Sequence, residues 1–230
     1  MFTECTIKLE NDHLIVADNE QNILVDTGSP ISFHPSGVLF LGQEQYSAHS
    51  SIPGVSIQYL SEKVGCEIHG LLGMDIINRG ATMFSLKNGF MFFDDDAEYL
   101  NHFKIFPLGS LSGGLTAITI SVNGRTANMI IDSGAPISYI HPNFVKGLEC
   151  AGIMDDFSPF IGNFQVETFV CEVDTLTGQE IYSQKFGIPP QIISLTLSQL
   201  KVDGIIGIEL FKRYRLQFKN RIVHLPPQGI

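Results

Sequence analysis

The sequence predicts a mostly β protein with short helices, folded as two related lobes. Three observations carry this. Apolar and polar residues alternate with period two over many short segments. Turn formers are frequent, with 22 Gly and 11 Pro separating those segments. Most informative is a repeat: Leu24-Val25-Asp26-Thr27-Gly28-Ser29-Pro30-Ile31-Ser32-Phe33-His34-Pro35 returns as Ile130-Ile131-Asp132-Ser133-Gly134-Ala135-Pro136-Ile137-Ser138-Tyr139-Ile140-His141-Pro142.

Taken in order, Thr3 to Glu10 alternates and leads through a second strand to Asp26, where an apolar strand runs into a tight turn. Gly70-Leu71-Leu72-Gly73 reads as a short apolar strand closed by Gly, with a brief helix after it. Met83 to Phe93 reads as a hairpin turning at Lys87-Asn88. The second half repeats the order: Thr116 to Asn123 alternates, the Asp132 turn follows, Gly204-Ile205-Ile206-Gly207 leads into a brief helix, and Tyr214 to Val223 turns at Lys219-Asn220. The small-residue stretch Pro107 to Gly114 suits a linker and divides the chain into an N-terminal lobe at 1–108 and a C-terminal lobe at 109–230. The halves differ between the Asp turn and the later Gly, a spacing of 47 residues (26 to 73) against 75 (132 to 207). The extra length lies around Gln165 to Gly187 and reads as a long hairpin about a Thr-Gly turn.

Composition excludes several function classes. A hydrophobic content of 44% with 17% charged residues argues for a packed core and against disorder. The formal net charge of −10 disfavours nucleic acid and anionic lipid, since either needs a basic surface to displace counterions. Met1 to Lys8 carries an early acid and no apolar run, so no signal peptide is expected, and no segment approaches the length of a membrane span. Cys5, Cys66, Cys150 and Cys171 are scattered, which favours small buried thiols over a zinc knuckle or redox pair. No Asn-x-Ser/Thr sequon occurs. The expected location is the cytoplasm. The histidines show no ligand spacing, and His34 and His141 recur only because the repeat does, so neither metal nor cofactor is expected. The acidic run Asp94-Asp95-Asp96 reads as a solvated loop. No Gly-x-Ser-x-Gly elbow, phosphate loop or His-Glu-x-x-His helix is present.

The repeat itself suggests the chemistry. Two Asp turns brought together by a pseudo-twofold axis place two carboxyl groups side by side. Two carboxylates about 3 Å apart cannot both ionise cheaply, so the pair retains one proton and titrates as a unit. One member can then take a proton from an attacking water while the other donates to the carbonyl oxygen or the leaving nitrogen of an amide. Gly28 and Gly134 let backbone N–H groups approach the carboxylates, while Thr27 and Ser133 bring hydroxyls that can bond across the lobes.

Paired Asp-Ser/Thr-Gly turns, each followed by an apolar-apolar-Gly strand and a short helix, resemble the aspartic proteases of the pepsin and retropepsin type. Gly204-Ile205-Ile206-Gly207 running into Phe211-Lys212-Arg213-Tyr214 is similar to the close of a pepsin-like C-terminal lobe. The resemblance implies a bilobal acid-protease fold with a central cleft, lobes of retropepsin size, and a β-barrel-like architecture. It implies Asp26 and Asp132 as the catalytic dyad, with Thr27, Gly28, Ser133 and Gly134 supporting it. The expected activity is endopeptidase action on an extended polypeptide by a monomer, because the covalent duplication removes the need for a dimer. The alternative is a catalytically inactive acid-protease-like module that binds peptide or protein. Only 25 residues precede Asp26, so a pepsin-type prosegment is not expected. A flap is expected either in Glu44 to Tyr59, with Tyr46 as the substrate-covering aromatic, or in the hairpin near Gln165 to Phe186.

Overall fold

The structure is a computed structural model that describes residues 2–18, 20–94, 114–158, 161–175, 181–219 and 222–224. It is mostly β with a few short helices, arranged on two main mixed sheets. The expected linker falls almost wholly outside the described residues. So do the acidic run beyond Asp94, the Thr-Gly turn at 177–178 and Asn220 of the last hairpin.

The first half opens with β1 (Phe2–Glu10) and β2 (His13–Asp18), joined at Asn11-Asp12, both in the left-handed region. Positive φ at both turn positions matches the right-handed twist of the strands, as two-residue hairpins require. The second half opens the same way, with β9 (Ala117–Val122) and β10 (Arg125–Ile131) joined at Asn123-Gly124. After β2 comes β3 (Gln21–Val25), which ends at the first Asp turn; β10 ends at the second.

Each Asp strand is then paired in parallel with the apolar Gly strand of its own half. In the first, β3 pairs with β6 (Gly70–Leu72), with Val25 opposite Leu72. In the second, β10 pairs with β15 (Gly204–Ile206), with Ile131 opposite Ile206. The chain after each turn comes back along the other side of that same strand. Phe33 bridges Leu71, and β11 (Ser138–Ile140) pairs with β15, Tyr139 opposite Ile205. A helix lies against each of these sheet portions. Helix α1 (Ile57–Val64) packs Leu60 and Val64 with Ile15, Leu24, Phe33 and Leu71, while the later helix α3 (Gln191–Leu200) packs Leu197 with Ala117 and Ile130. Helix α1 starts at Ser56, whose hydroxyl accepts the Tyr59 N–H, and ends at Gly65 in the left-handed region. The short α2 (Met74–Ile77) and α4 (Glu209–Arg213) follow the Gly strands at matched places.

The two halves share more than a repeat. Strands β7 (Ala81–Ser85) and β8 (Phe90–Asp94) lie in one eight-stranded sheet with β16 (Leu216–Lys219) and β17 (Ile222–His224), in the order β17-β16-β7-β8-β1-β2-β3-β6. Phe84 of β7 pairs with Leu216 of β16, and these are equivalent positions of the two Lys-Asn hairpins. The pseudo-twofold axis therefore passes between two strands hydrogen-bonded to each other. Phe84 also packs edge-on against Phe211 and Phe218, each with ring centroids 5.8 Å away. All three are buried, so the final strands of the chain complete the sheet of the first half.

Between the Asp turn and the helix the halves part. The first half has only a short hairpin, β4 (Val38–Leu41) with β5 (Glu44–Ser47). The second has β12 (Gly152–Ser158), the 13-residue β13 (Gly162–Asp174) and β14 (Ile181–Gly187). Strand β13 pairs with β12, then β14, and finally β9, which curls the seven-stranded sheet into a ring. Of the cysteines, Cys5 and Cys171 are buried as expected; Cys66 is half-buried and Cys150 exposed, and all four are free thiols. Cys150 departs from expectation because it sits in the open connection before β12.

Candidate active site

The two Asp turns are built alike, atom for atom. Asp26 N–H donates to Leu72 O at 3.0 Å, and Asp132 N–H donates to Ile206 O at 3.0 Å, so each aspartate backbone is tied to its parallel Gly strand. Gly28 N–H donates to Asp26 Oδ1 and Gly134 N–H to Asp132 Oδ1, each at 2.9 Å. These bonds aim each carboxyl back over its own turn.

The turns are then locked to each other. Thr27 Oγ1 donates to Ile131 O at 3.0 Å and accepts Ser133 N–H at 2.9 Å. Reciprocally, Ser133 Oγ donates to Val25 O at 2.8 Å and accepts Thr27 N–H at 3.0 Å. Both hydroxyl residues are fully buried, so the four bonds are made away from competing water. This is the cross-bonding expected of Thr27 and Ser133 from the sequence.

The lock brings the carboxyl groups together. Asp26 and Asp132 hydrogen-bond to one another through their side chains. Each also lies against the glycine of the opposite turn. A Cβ on Gly28 would sit 2.4 Å from Asp132 Cγ, and one on Gly134 would sit 2.9 Å from Asp26 Cγ. Glycine is required at both places because an opposing carboxyl fills the space of its missing side chain. Burial pushes both carboxyls above the ordinary aspartate range. The negative charge of Asp26 raises Asp132 further, whereas the Gly28 N–H and the Asp132 side chain partly offset the rise at Asp26. The pair thus retains a proton at a pH where isolated aspartates have lost theirs.

Two serines of the repeat, which the sequence reading quoted but gave no role, brace the turns. Ser32 Oγ accepts Gly73 N–H at 2.8 Å and donates to Asp75 Oδ1 at 2.6 Å. Ser138 Oγ accepts Gly207 N–H at 2.9 Å and also takes the Gln184 amide. Their recurrence at the same place in Pro-Ile-Ser was the signal. The recurring histidines have a local job: the Nδ1 of His34 accepts Ser36 N–H and that of His141 accepts Asn143 N–H. Among the described residues no group of His, Cys, Asp and Glu is arranged to hold a metal ion. No helix among them is long and apolar enough to cross a membrane.

Tyr46 is not placed as expected. The β4–β5 hairpin alternates, turning Leu39, Leu41 and Tyr46 inward and leaving Phe40 outward. The Tyr46 ring is buried edge-on against Phe93, centroids 5.4 Å apart, so it is part of the core. The β12–β13 hairpin of the second half also reaches the first, at α1. Phe157 meets Tyr59 of α1 edge-on at 5.1 Å, and Lys63 Nζ of α1 lies 4.4 Å over the Phe157 ring. Lys63 also donates to Asn163 Oδ1 at 2.7 Å. On the other side, Asp156 of β12 accepts the Tyr139 hydroxyl. The expected second-lobe hairpin, Gln165 to Phe186, is present as β13 and β14, but the strand that crosses to α1 precedes it.

A separate cavity of about 440 Å³ lies beside α3, lined by His141, Leu195, Lys201 and Asp203 among others; neither aspartate of the pair lines it. The chain matches no protein-family model and no curated protein sequence.

Proposed function

We propose that this chain is an aspartic endopeptidase with a bilobal acid-protease fold. The observation that carries the reading is the hydrogen-bonded Asp26–Asp132 pair, held by reciprocal Thr27 and Ser133 bonds across the two halves. Such a pair has one proton to give and one carboxylate to receive another. The ionised member takes a proton from a water as that water attacks the peptide carbonyl, and the protonated member donates its proton to the carbonyl oxygen. The tetrahedral diol then breaks its C–N bond as the nitrogen takes the proton held by the pair and one diol hydroxyl gives its proton to the ionised carboxylate, releasing a carboxylic acid and an amine with the pair again holding one proton. The Gly28 and Gly134 N–H groups each hold one oxygen of a carboxyl, so little reorganisation is needed during the reaction.

A cleft between the lobes suits an extended polypeptide, recognised by strand-like pairing of its backbone and by pockets for its side chains. Both halves of the site come from one chain, so a monomer suffices. Peptide-library cleavage from pH 3 to 8 tests the reading. Wild type is expected to cleave, and Asp26→Asn and Asp132→Asn each to lose at least about 10³-fold, the usual scale of acid–base contributions. Because the pair acts as a unit, the double variant should be no worse than either single one. Saturable peptide binding with no turnover, unchanged by either substitution, would establish the inactive binding module instead.

A further inference from the structure

The equivalent residues Phe33 and Tyr139 differ by one hydroxyl group, and that hydroxyl occurs only in the half that carries the long hairpin. Phe33 packs under α1 with Leu24 and Leu71. Tyr139 packs with Ile137 and with Val166 and Phe164 of β13, so its ring is the floor on which the hairpin rests. Its hydroxyl reaches out of that cluster to Asp156, the residue before Phe157, which in turn touches α1. One short segment of β12 therefore bonds to β11, the strand that follows the second Asp turn, and contacts the opposite half.

Resting on the peptidase reading above, we propose that Tyr139 and Asp156 form a positioning pair, seating hairpin β12–β13 across the site and holding a third carboxyl group on the Asp132 side of the dyad. The groups facing Asp156 are the Tyr139 hydroxyl on β11, Asp132 beyond β10, His13 on β2, and, through its neighbour Phe157, Lys63 on α1. Its charge opposes ionisation of Asp132, and burial raises its own proton affinity. The consequence is twofold. The hairpin bond governs how readily substrate enters, and the charge governs the upper pH at which the dyad still holds its proton.

Conservative substitutions separate the two effects. Asp156→Asn keeps an oxygen to accept the Tyr139 hydroxyl but removes the charge; Tyr139→Phe removes the bond but leaves the charge. Carboxyl ¹³C NMR of the aspartate-labelled full chain follows the titration without requiring turnover, and amide hydrogen exchange follows the hairpin. In Asp156→Asn the upper apparent pKa of the dyad should fall, with β12 protection retained. In Tyr139→Phe the β12 amides should exchange roughly tenfold faster, and KM for library peptides should rise with kcat little changed. An unmoved dyad titration in Asp156→Asn, or unchanged β12 protection in Tyr139→Phe, overturns the proposal. If both shifts occur but no variant, wild type included, cleaves any peptide, the positioning pair stands and the peptidase reading falls.

Discussion

The two halves of this chain are nearly identical where they meet and unlike in the stretch between the Asp turn and the later Gly strand. At the meeting point each supplies an Asp turn, a hydroxyl that bonds into the other turn, and a Gly strand pressed against the turn from behind. Away from it, one half has a four-residue strand pair with a buried Tyr46, while the other has a ring-closed sheet and a hairpin that reaches across to α1. The difference separates two tasks. Holding two carboxyls in contact needs reciprocal geometry, which a repeat provides directly; the hairpin contact with α1 is made from one half alone and needs no counterpart.

The sharpest way to break the symmetry is at the glycines. Gly28→Ala puts a methyl group 2.4 Å from Asp132 Cγ, whereas Gly134→Ala puts one 2.9 Å from Asp26 Cγ. Both should impair cleavage, Gly28→Ala by at least about 100-fold, because displacing a reacting group by about 1 Å costs that much. Equal losses from the two substitutions would show that the carboxyls relax equally and that the asymmetry is of no consequence.

Next come the cross-bonds, where the halves should behave alike. Ser133→Ala leaves the Thr27 N–H and the Val25 carbonyl buried without their partner, and Thr27→Val does the same to the Ser133 N–H and the Ile131 carbonyl. Each should cost about 2–4 kcal/mol by urea denaturation. A loss confined to one of them would refute the reciprocal lock.

A smaller effect tests the electrostatics. Both carboxyls are raised on folding, so the ionised pair is less comfortable in the fold than in the unfolded chain. The resulting destabilisation is absent below the ordinary aspartate value of about 3.9 and grows as pH rises through the raised values. Asp132→Asn should therefore raise Tm at pH 7, and the gain should vanish near pH 3.5. Asp26→Asn should gain less, since Asp132 is raised further. A gain independent of pH would rule out this cause.

The smallest expected change is at the hairpin tip. Tyr59→Ala removes the edge-on contact with Phe157, worth about 1 kcal/mol, and should speed exchange of β12 amides several-fold while leaving β10 untouched. Loss of protection in both strands would mean that Tyr59 supports the whole fold and not the hairpin alone.

Legibility from the sequence followed the range of the interactions. The Asp turns, the alternating strands that lead to them and the Gly strands could be read because short stretches of chain specify each one, and duplication wrote each twice. Helix α3 could not: Ile193-Ser194-Leu195-Thr196-Leu197-Ser198 alternates like a strand, yet it winds as a helix after Pro189-Pro190 and buries Leu197 against Ala117 and Ile130. Tyr46 was misplaced for a related reason, since alternation says which residues share a face of a hairpin but not which face is covered. Strand β12 escaped notice because its first residues, Gly152 to Asp155, are exposed and leave no alternating apolar pattern.

By itself, then, the sequence determined a mostly β chain in two related halves, the pair of turns, and the residues that bind each carboxyl to its own backbone. These depend on φ/ψ preferences, alternation and turn chemistry, all local in the chain. The tertiary structure alone decided that Phe84 pairs with Leu216 across the axis, that β13 closes the ring onto β9, that Tyr46 faces inward, and that β12 crosses to α1. Each of those is a choice of partner between distant segments. Its free energy comes from surfaces that do not exist until both segments have folded, and no short stretch of residues encodes it.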